Sequence, residues 1–148
     1  MQAFNLTNHF LIAMPTLQDP NFVRSVTYIC AHGEDGAMGI VVNRPLEFDL
    51  GEVLAQMELT GVDAHITGQP VYLGGPVQTD RGFVIHRPAT PWNSTIEITP
   101  EVAVSTSRDI LAAIANGTGP RDVIVALGYA GWGPGQLEQE MADNAWLS

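Results

Sequence analysis

The stretch VTYICAHGEDGAMGIVVNRP, residues 26–45, decides the fold of this chain. It holds two β-rich runs, and the residues from Gly33 to Gly36 separate them as the turn of a β-hairpin does. The second run ends at Pro45, a residue that cannot donate a hydrogen bond to a neighbouring strand. The stretch therefore predicts two antiparallel strands joined by a tight turn.

The register of this hairpin determines which side chains share a face. Residues two apart on a strand point to the same side, so Tyr28, Cys30 and His32 are expected on one face. Their expected partners on the second strand are Val41, Gly39 and Ala37. That face is small in volume, and a glycine opposite Cys30 leaves room for a ligand or for a closely packed helix.

Cys30 has a catalytic and a structural interpretation. A cysteine with a histidine two residues along the chain resembles a thiolate and its base, which predicts a small hydrolase using Cys30 with His32 or His86. Free cysteine is also among the most buried residue types, and neighbouring side chains on a strand need not point at one another. We favour the structural interpretation, which normal thiol reactivity would support.

The rest of the chain shows strand patterns more often than helix patterns. Apolar runs bounded by turn residues predict strands near residues 8–14, 26–32, 37–44, 70–74, 81–87, 94–99, 101–105 and 122–129. Apolar residues at helical spacing predict three helices, in DLGEVLAQM (49–57), in SRDILAAIANG (107–117) and from Leu137 to Trp146. Asp49 is a suitable N-cap for the first helix, and Gly117 can end the second.

The order of these elements indicates the fold class. Strands mostly follow one another and helices come singly between groups of strands, which is typical of an α+β domain. We expect a mixed, largely antiparallel sheet curled over one or two of about three helices. Because no internal repeat or low-complexity linker divides the chain, we expect one domain over residues 1–148.

Charge is the most informative bulk property. The chain has no lysine, six arginines and sixteen acidic residues, which gives a formal net charge of −10. Duplex DNA is bound mainly by clustered lysines and arginines, and here only Arg81 and Arg87 are close in sequence. Direct DNA binding is therefore unfavourable, but it stays an alternative because folding can bring distant arginines together.

Several functional classes find no support in the sequence. Cys30 is the only cysteine and no Cys/His cluster has the spacing of a zinc site, which predicts no metal and a reducing compartment. The N-terminal MQAFNLTNHFLIAMP lacks the basic start and cleavage site of a signal peptide. No apolar stretch reaches the about 20 residues of a membrane helix. We expect a soluble cytoplasmic protein without membrane contact.

The stretch GYAGWGPGQLEQE, residues 128–140, has the order strand, glycine turn and helix that phosphate sites use. Its glycines match neither the dinucleotide fingerprint nor a P-loop. With Gly135 as the N-cap, Glu138 is the third helical residue, where its carboxylate satisfies the positive end of the helix. We interpret the glycines as a sharp turn that lets Trp132 lie over the core, and expect no cofactor.

Six polar or aromatic residues are candidates for binding. Asn43 and Arg44 form a corner suited to an anion or amide, or else a strand end whose arginine pairs with an acid. His86 lies in a mostly apolar strand and is more typical of a core or edge residue than of a base. Trp132 and Gln136 are alternatively the lining of a pocket for a neutral or cationic ligand. If folding brings these segments together, the candidate interaction surface consists of Asn43, Arg44, Arg81, His86, Trp132 and Gln136.

Six segments resemble the uncharacterised YqgE/AlgH family of bacterial proteins. They are NHFLIAMP (8–15), DPNFVRSVTYICAHGEDGAMGIVVNRP (19–45), VYLGGPV (71–77), RGFVIH (81–86), SRDILAAIANGTGP (107–120) and VALGYAGWGPGQLEQEMADNAWL (125–147). The resemblance spans nearly the whole chain. Residues 46–69 and 88–105 show no comparable signature.

The resemblance implies a compact α+β domain with a barrel-like sheet in the bacterial cytoplasm. It supplies no established activity and no catalytic or metal-binding residues, although some members carry the label of transcriptional regulator in connection with alginate production. An acidic surface is easier to reconcile with a protein partner than with DNA. We therefore expect a non-enzymatic binding or regulatory domain that affects transcription indirectly. The alternatives are a Cys30 hydrolase and a direct DNA-binding regulator.

Overall fold

The computed structural model describes residues 5–60 and 63–148, so residues 1–4 of the N-terminal stretch lie outside it. The strands are β1 (Phe10–Ala13), β2 (Val26–Gly33), β3 (Gly36–Val41), β4 (Pro45–Asp49), β5 (Pro70–Leu73), β6 (Val77–Arg87), β7 (Thr95–Glu97), β8 (Ala103–Ser105), β9 (Asp122–Trp132) and β10 (Trp146–Leu147). The helices are α1 (Leu50–Gln56), α2 (Ala64–Thr67), α3 (Arg108–Ala115) and α4 (Gln136–Ala142). This content confirms the predicted α+β class.

All ten strands join one strongly curled sheet, a half-barrel. Its main path has the order β10-β1-β2-β3-β9-β6-β8-β7, with neighbours antiparallel. β5 pairs with β9 in parallel and with β4 in antiparallel orientation. The sheet is therefore mixed and largely antiparallel, as predicted. Over residues 5–60 and 63–148, no helix is long and apolar enough to cross a membrane.

The three predicted helices are present, but the third ends at Ala142, and Trp146, which we expected in it, lies in β10. The local signals of the first two helices act as expected. The Asp49 carboxylate accepts a hydrogen bond from the Glu52 N–H at 3.1 Å at the start of α1. Gly117, just beyond α3, has a φ of 78°, the left-handed conformation that commonly follows a helix. The single turn of α2 and the strands β4 and β10 were not predicted. A single helical turn and a two-residue strand carry too little periodicity to be detected.

The predicted hairpin register is wrong over half its length because β2 carries a β-bulge. His32 does pair with Ala37, but Tyr28 pairs with Ile40 and Ile29 pairs with Gly39. The register shifts between Ile29 and Ala31, so the residue between them, Cys30, has no partner across the ladder. An extra residue of this kind cannot be read from alternation, since it interrupts the alternation itself.

The side chains of β2 enter two different cores. Tyr28 and Cys30 lie on the inner face of the half-barrel, in a cluster with Ile40, Phe83 and Ile85. Ile29 lies on the other side of the sheet, in a cluster with Trp132 and Trp146 next to α4. The expected space opposite Cys30 is also absent, because a Cβ at Gly39 would come within 2.7 Å of a Thr27 methyl group.

A third core lies between the sheet and helices α1 and α3. Its fully buried side chains are Leu50, Leu54, Val71, Val84, Ile110, Leu111, Ile114, Ala115 and Val125. On β6, Val84 faces these helices while its neighbours Phe83 and Ile85 face the inside of the half-barrel, as the period of two requires. The sheet is thus apolar on both faces.

The turn YLGGPV brings the backbone of Gly75 against the backbone of β9. A Cβ at Gly75 would lie 2.1 Å from the Tyr129 carbonyl carbon, and the φ of Gly75 is 156°. The neighbouring atoms are main chain, so they cannot move aside as a side chain can. The glycine is therefore required by a close approach between two strands.

We expect Gly75→Ala to lower the free energy of unfolding by at least about 2 kcal/mol, because both the contact and the backbone conformation become strained. Gly33→Ala is the matched control, since a Cβ at Gly33 meets nothing within 4 Å. Urea denaturation of the two variants measures the difference. Equal stability of Gly75→Ala and Gly33→Ala would contradict the close packing of this turn.

Candidate functional site

Asn43 and Arg44 together hold the loop between β1 and β2. Asn43 accepts the Val26 N–H at 2.8 Å through Oδ1, and its Nδ2 donates to the Arg24 carbonyl at 3.0 Å. The Arg44 guanidinium donates to three loop carbonyls, those of Pro20 (3.3 Å), Asn21 (2.6 Å) and Val23 (2.6 Å). The predicted pairing of Arg44 with an acid is replaced by pairing with main-chain oxygens.

His86 is a buried core residue, with 1% of its surface exposed, and both of its ring nitrogens are hydrogen-bonded. Its Nδ1 lies 2.9 Å from the Pro88 carbonyl, which can only accept, so Nδ1 carries the proton. In the neutral ring Nε2 then accepts from the Ser105 hydroxyl at 2.7 Å. Cys30 and His86 both lie deep in the fold, but the two ring nitrogens of His86 are occupied by these partners.

Trp132 and Gln136 converge on Glu140, whose role as their shared acceptor the sequence did not predict. One oxygen of the Glu140 carboxylate accepts the indole N–H of Trp132 at 3.0 Å and that of Trp146 at 2.9 Å. The other oxygen accepts from Gln136 Nε2 at 2.9 Å. The Phe22 ring packs on both indoles, with centroids 6.0 and 5.7 Å away. Trp132 lies over this core, as predicted, and is 5% exposed.

The glycine turn before α4 is filled by the chain's own groups. Gly135 is the N-cap, with a φ of 72°, and Gln136 Oε1 accepts the Gly133 N–H at 3.0 Å. The backbone N–H of Glu138 and the nearby His32 lower the pKa of the Glu138 carboxyl. His32 Nε2 lies 3.2 Å from Glu138 Oε1, while its Nδ1 accepts the Leu6 N–H at 2.9 Å. These contacts support the structural interpretation of the glycines.

Cys30 lacks the environment of a nucleophile. The residue is 2% exposed and burial raises the pKa of its thiol to about 12, whereas reactive cysteines have lowered values. Its sulfur lies 3.8 Å from the Tyr28 carbonyl. Because of the bulge, His32 turns toward Leu6 and Glu138 in the other core, so the expected shared face of Cys30 and His32 is wrong.

The inner face of the half-barrel is open to solvent at its margins. Among the described residues, seven large apolar side chains are exposed, and six of them belong to this face. Strand pairing shows the shared orientation, because paired residues point to the same side of a sheet. Phe10 pairs with the inner-face residue Tyr28, and Ile124 pairs with Ile85. Ile96 pairs with Val104, and Val77 with Tyr129. Ile12 lies two residues from Phe10 on the same strand and pairs with Leu147, so both of these side chains also belong to this face.

Two depressions lie on this face. The first, which we call the rim cleft, has a volume of about 370 Å³ and runs between Phe10, Tyr28 and Val42 on one side and Ile85 and Ile124 on the other. The second, the Arg81 pocket, has a volume of about 570 Å³. Its main side chains are Met38, Gln78, Arg81, Phe83, Ser94, Ile96, Thr106 and Tyr129.

The six candidate residues do not form one surface. Asn43 and Arg44 fix a loop, and His86 is buried in the core. Trp132 and Gln136 meet at Glu140, while Arg81 lines a pocket to which Trp132 also contributes. The exposed apolar residues of the inner face were missed, because a sequence does not reveal which apolar positions stay uncovered.

The fold is an α+β half-barrel, and comparison with known proteins assigns it to a family. A family model described as AlgH-like matches residues 10–148, so the chain belongs to the AlgH-like family. A UPF0301 protein of Thioalkalivibrio sulfidiphilus is 62% identical over 144 residues, 97% of this chain and 77% of that protein. One from Nitrosococcus oceani is 56% identical over 141 residues, 95% and 75% of the two chains.

Solved structures show the same architecture. The solution structure of the AlgH protein from Pseudomonas aeruginosa matches with a TM-score of 0.83 and 51% identity, covering 99% of this chain and 78% of that one. A crystal structure of a protein from Corynebacterium diphtheriae matches with a TM-score of 0.73 at 19% identity, over 99% and 76% of the chains. At that identity the second match supports the fold alone.

We expect Glu140→Ala to destabilise the protein by about 2–4 kcal/mol, because two part-buried indole N–H groups lose their acceptor. Glu140→Gln should cost about half as much, since its amide oxygen still accepts but its NH₂ group faces that of Gln136. Urea unfolding followed by tryptophan emission measures both. Gln139→Ala, on the exposed side of the same helix, is the control. A loss in Glu140→Ala no larger than in the control would contradict the network.

We expect the Cys30 thiol to resist iodoacetamide at pH 8 in the folded protein and to react readily in 6 M guanidinium. The physical cause is burial, which keeps the thiol protonated. Because the folded pKa exceeds the unfolded value, the associated stability is present below about pH 9 and is lost as pH rises toward 12. Mass spectrometry follows the labelling. Fast native labelling would restore the hydrolase alternative.

Proposed function

We propose that this protein is a non-enzymatic binding domain of the bacterial cytoplasm that acts through a protein partner. The observation that carries the proposal is the open inner face, where Phe10, Ile12 and Leu147 are 54%, 47% and 55% exposed. Large apolar side chains that share one exposed face are typical of protein-binding surfaces. The rim cleft beside Phe10 offers a concave site for an apolar side chain of the partner.

A partner protein fits the charge of the chain better than DNA or a membrane does. At a net charge of −10, the surface repels polyphosphate backbones and anionic lipids. Three of the six arginines are already committed: Arg44 donates to loop carbonyls, while Arg87 and Arg121 pair with Asp122. An effect on transcription would accordingly be indirect.

The enzymatic alternative draws little support from the geometry. Nucleophilic catalysis requires a thiolate near a base, but the Cys30 thiol is buried and its pKa is raised to about 12. His86 hydrogen-bonds Pro88 and Ser105 with its two nitrogens. A binding role needs no such group, and it uses the exposed apolar side chains that an enzyme mechanism leaves unexplained.

Binding through the inner face predicts that its apolar residues control partner affinity. Affinity capture from a bacterial lysate with the wild-type protein identifies candidates, and each is then purified and titrated calorimetrically. We expect Ile12→Asp and Leu147→Asp to weaken binding at least about tenfold, roughly 1.4 kcal/mol, because a charge replaces an apolar contact. Val23→Asp is the matched control: Val23 is 39% exposed but lies on the β1–β2 loop.

Other outcomes separate the competing functions. A partner that binds the inner-face variants as tightly as the wild type contradicts the proposal. So does self-association through this face with no other partner, which light scattering of the purified protein detects. Ligand-specific turnover would support an enzyme, and salt-sensitive binding to duplex DNA would support a direct regulator.

A further inference from the structure

The Arg81 pocket has the composition of a small-ligand site, at a different place from the rim cleft. Its volume of about 570 Å³ falls in the range of small-molecule sites. Among the described residues that line it, Arg81 is the one charged side chain, and the others are apolar, aromatic or neutral polar. A guanidinium beside apolar walls suits a ligand with one negative group and an apolar body.

The Arg81 side chain is held in position by neutral partners. Its guanidinium donates to Thr106 Oγ1 at 2.9 Å and lies 3.5 Å from Gln78 Oε1, while Thr106 Oγ1 donates to Ser94 Oγ at 3.0 Å. Neither partner is an acid, so the positive charge of Arg81 is not neutralised by these contacts. A guanidinium has five N–H donors, and these contacts use two of them.

The rest of the pocket lining is largely apolar and partly aromatic. The Phe83 and Tyr129 rings contact each other with centroids 5.4 Å apart, and Met38 lies beside them. Ile96 is 47% exposed at the mouth of the pocket. Flat aromatic and flexible thioether side chains pack favourably against a ring.

We infer that the Arg81 pocket binds small monocarboxylates with an aromatic body, the carboxylate paired with Arg81 and the ring packed against Phe83 and Tyr129. The planar fork of a guanidinium matches the two oxygens of a carboxylate. A monoanion is favoured over a phosphate dianion, because a single arginine must offset the repulsion from a chain of net charge −10. This inference does not depend on the proposed protein partner.

Calorimetric titration with 3-phenylpropionate tests the inference directly. We expect a dissociation constant on the order of 1 mM. The neutral isostere 3-phenylpropionamide and the dianion phenyl phosphate should each bind at least about tenfold more weakly, since one lacks the charge and the other carries too much. Backbone amide shifts should locate the bound probe at Arg81, Phe83 and Thr106.

Variants then assign the contact to Arg81. We expect Arg81→Gln to weaken 3-phenylpropionate at least about tenfold and Arg81→Lys to weaken it less, because lysine keeps the charge but not the fork. Arg108→Gln, another exposed arginine outside this pocket, and Ile12→Asp should leave binding unchanged. Circular dichroism checks the fold of each variant.

Three results would overturn the inference. They are the absence of binding by all three probes, equal binding of the acid and the amide, and unchanged affinity in Arg81→Gln. Stronger binding of phenyl phosphate than of the carboxylate would replace the ligand class with an organic phosphate. None of these results bears on the inner-face partner, whose binding depends on Ile12 and Leu147.

Discussion

The bulge at Cys30 is the constraint on which the arrangement of this half-barrel depends. A one-residue shift in a strand moves the following side chains to the opposite face. Here Tyr28 and Cys30 point inward, while Ile29 and His32 face the α4 region, where His32 approaches Glu138. One unpaired residue thereby lets the same strand complete the inner face and anchor the last helix. Bulges also increase local twist, and further register shifts lie between Pro45 and Asp49 and between Val77 and Gly82.

Local signals in the sequence predicted much of the fold. Helix starts such as Asp49 and the glycine turn before α4 depend on neighbouring residues, so their roles could be predicted correctly. The hairpin register could not, because the bulge at Cys30 breaks the alternation used to assign it. The role of Glu140 was also hidden: its indole partners come from residues six and eight positions away, on different strands. Which apolar side chains remain exposed depends on the whole sheet, so Phe10 was not identified as a surface residue.

The charged side chains fall into two groups: those that stabilise the fold and those that remain available for binding. Glu140 and Arg44 are engaged in fixing tryptophans and a loop, and Arg87 is paired with Asp122. Arg81 differs, since its guanidinium contacts a hydroxyl and an amide, and these contacts leave its charge available at a pocket. The acidic remainder of the surface disfavours polyanions, while the apolar inner face offers contacts that do not depend on charge. Binding to protein and to small monoanions are both compatible with this distribution.

The contact between Arg44 and the β1–β2 loop has a consequence for the behaviour of the protein in acid. Guanidinium groups stay protonated throughout the range in which carboxyl groups titrate, and peptide carbonyls do not titrate at all. The hydrogen bonds from Arg44 to Asn21 and Val23 are therefore indifferent to acidification. The loop that carries Phe22 therefore keeps its contacts with Arg44 after the carboxylate-dependent contacts of α4 have weakened.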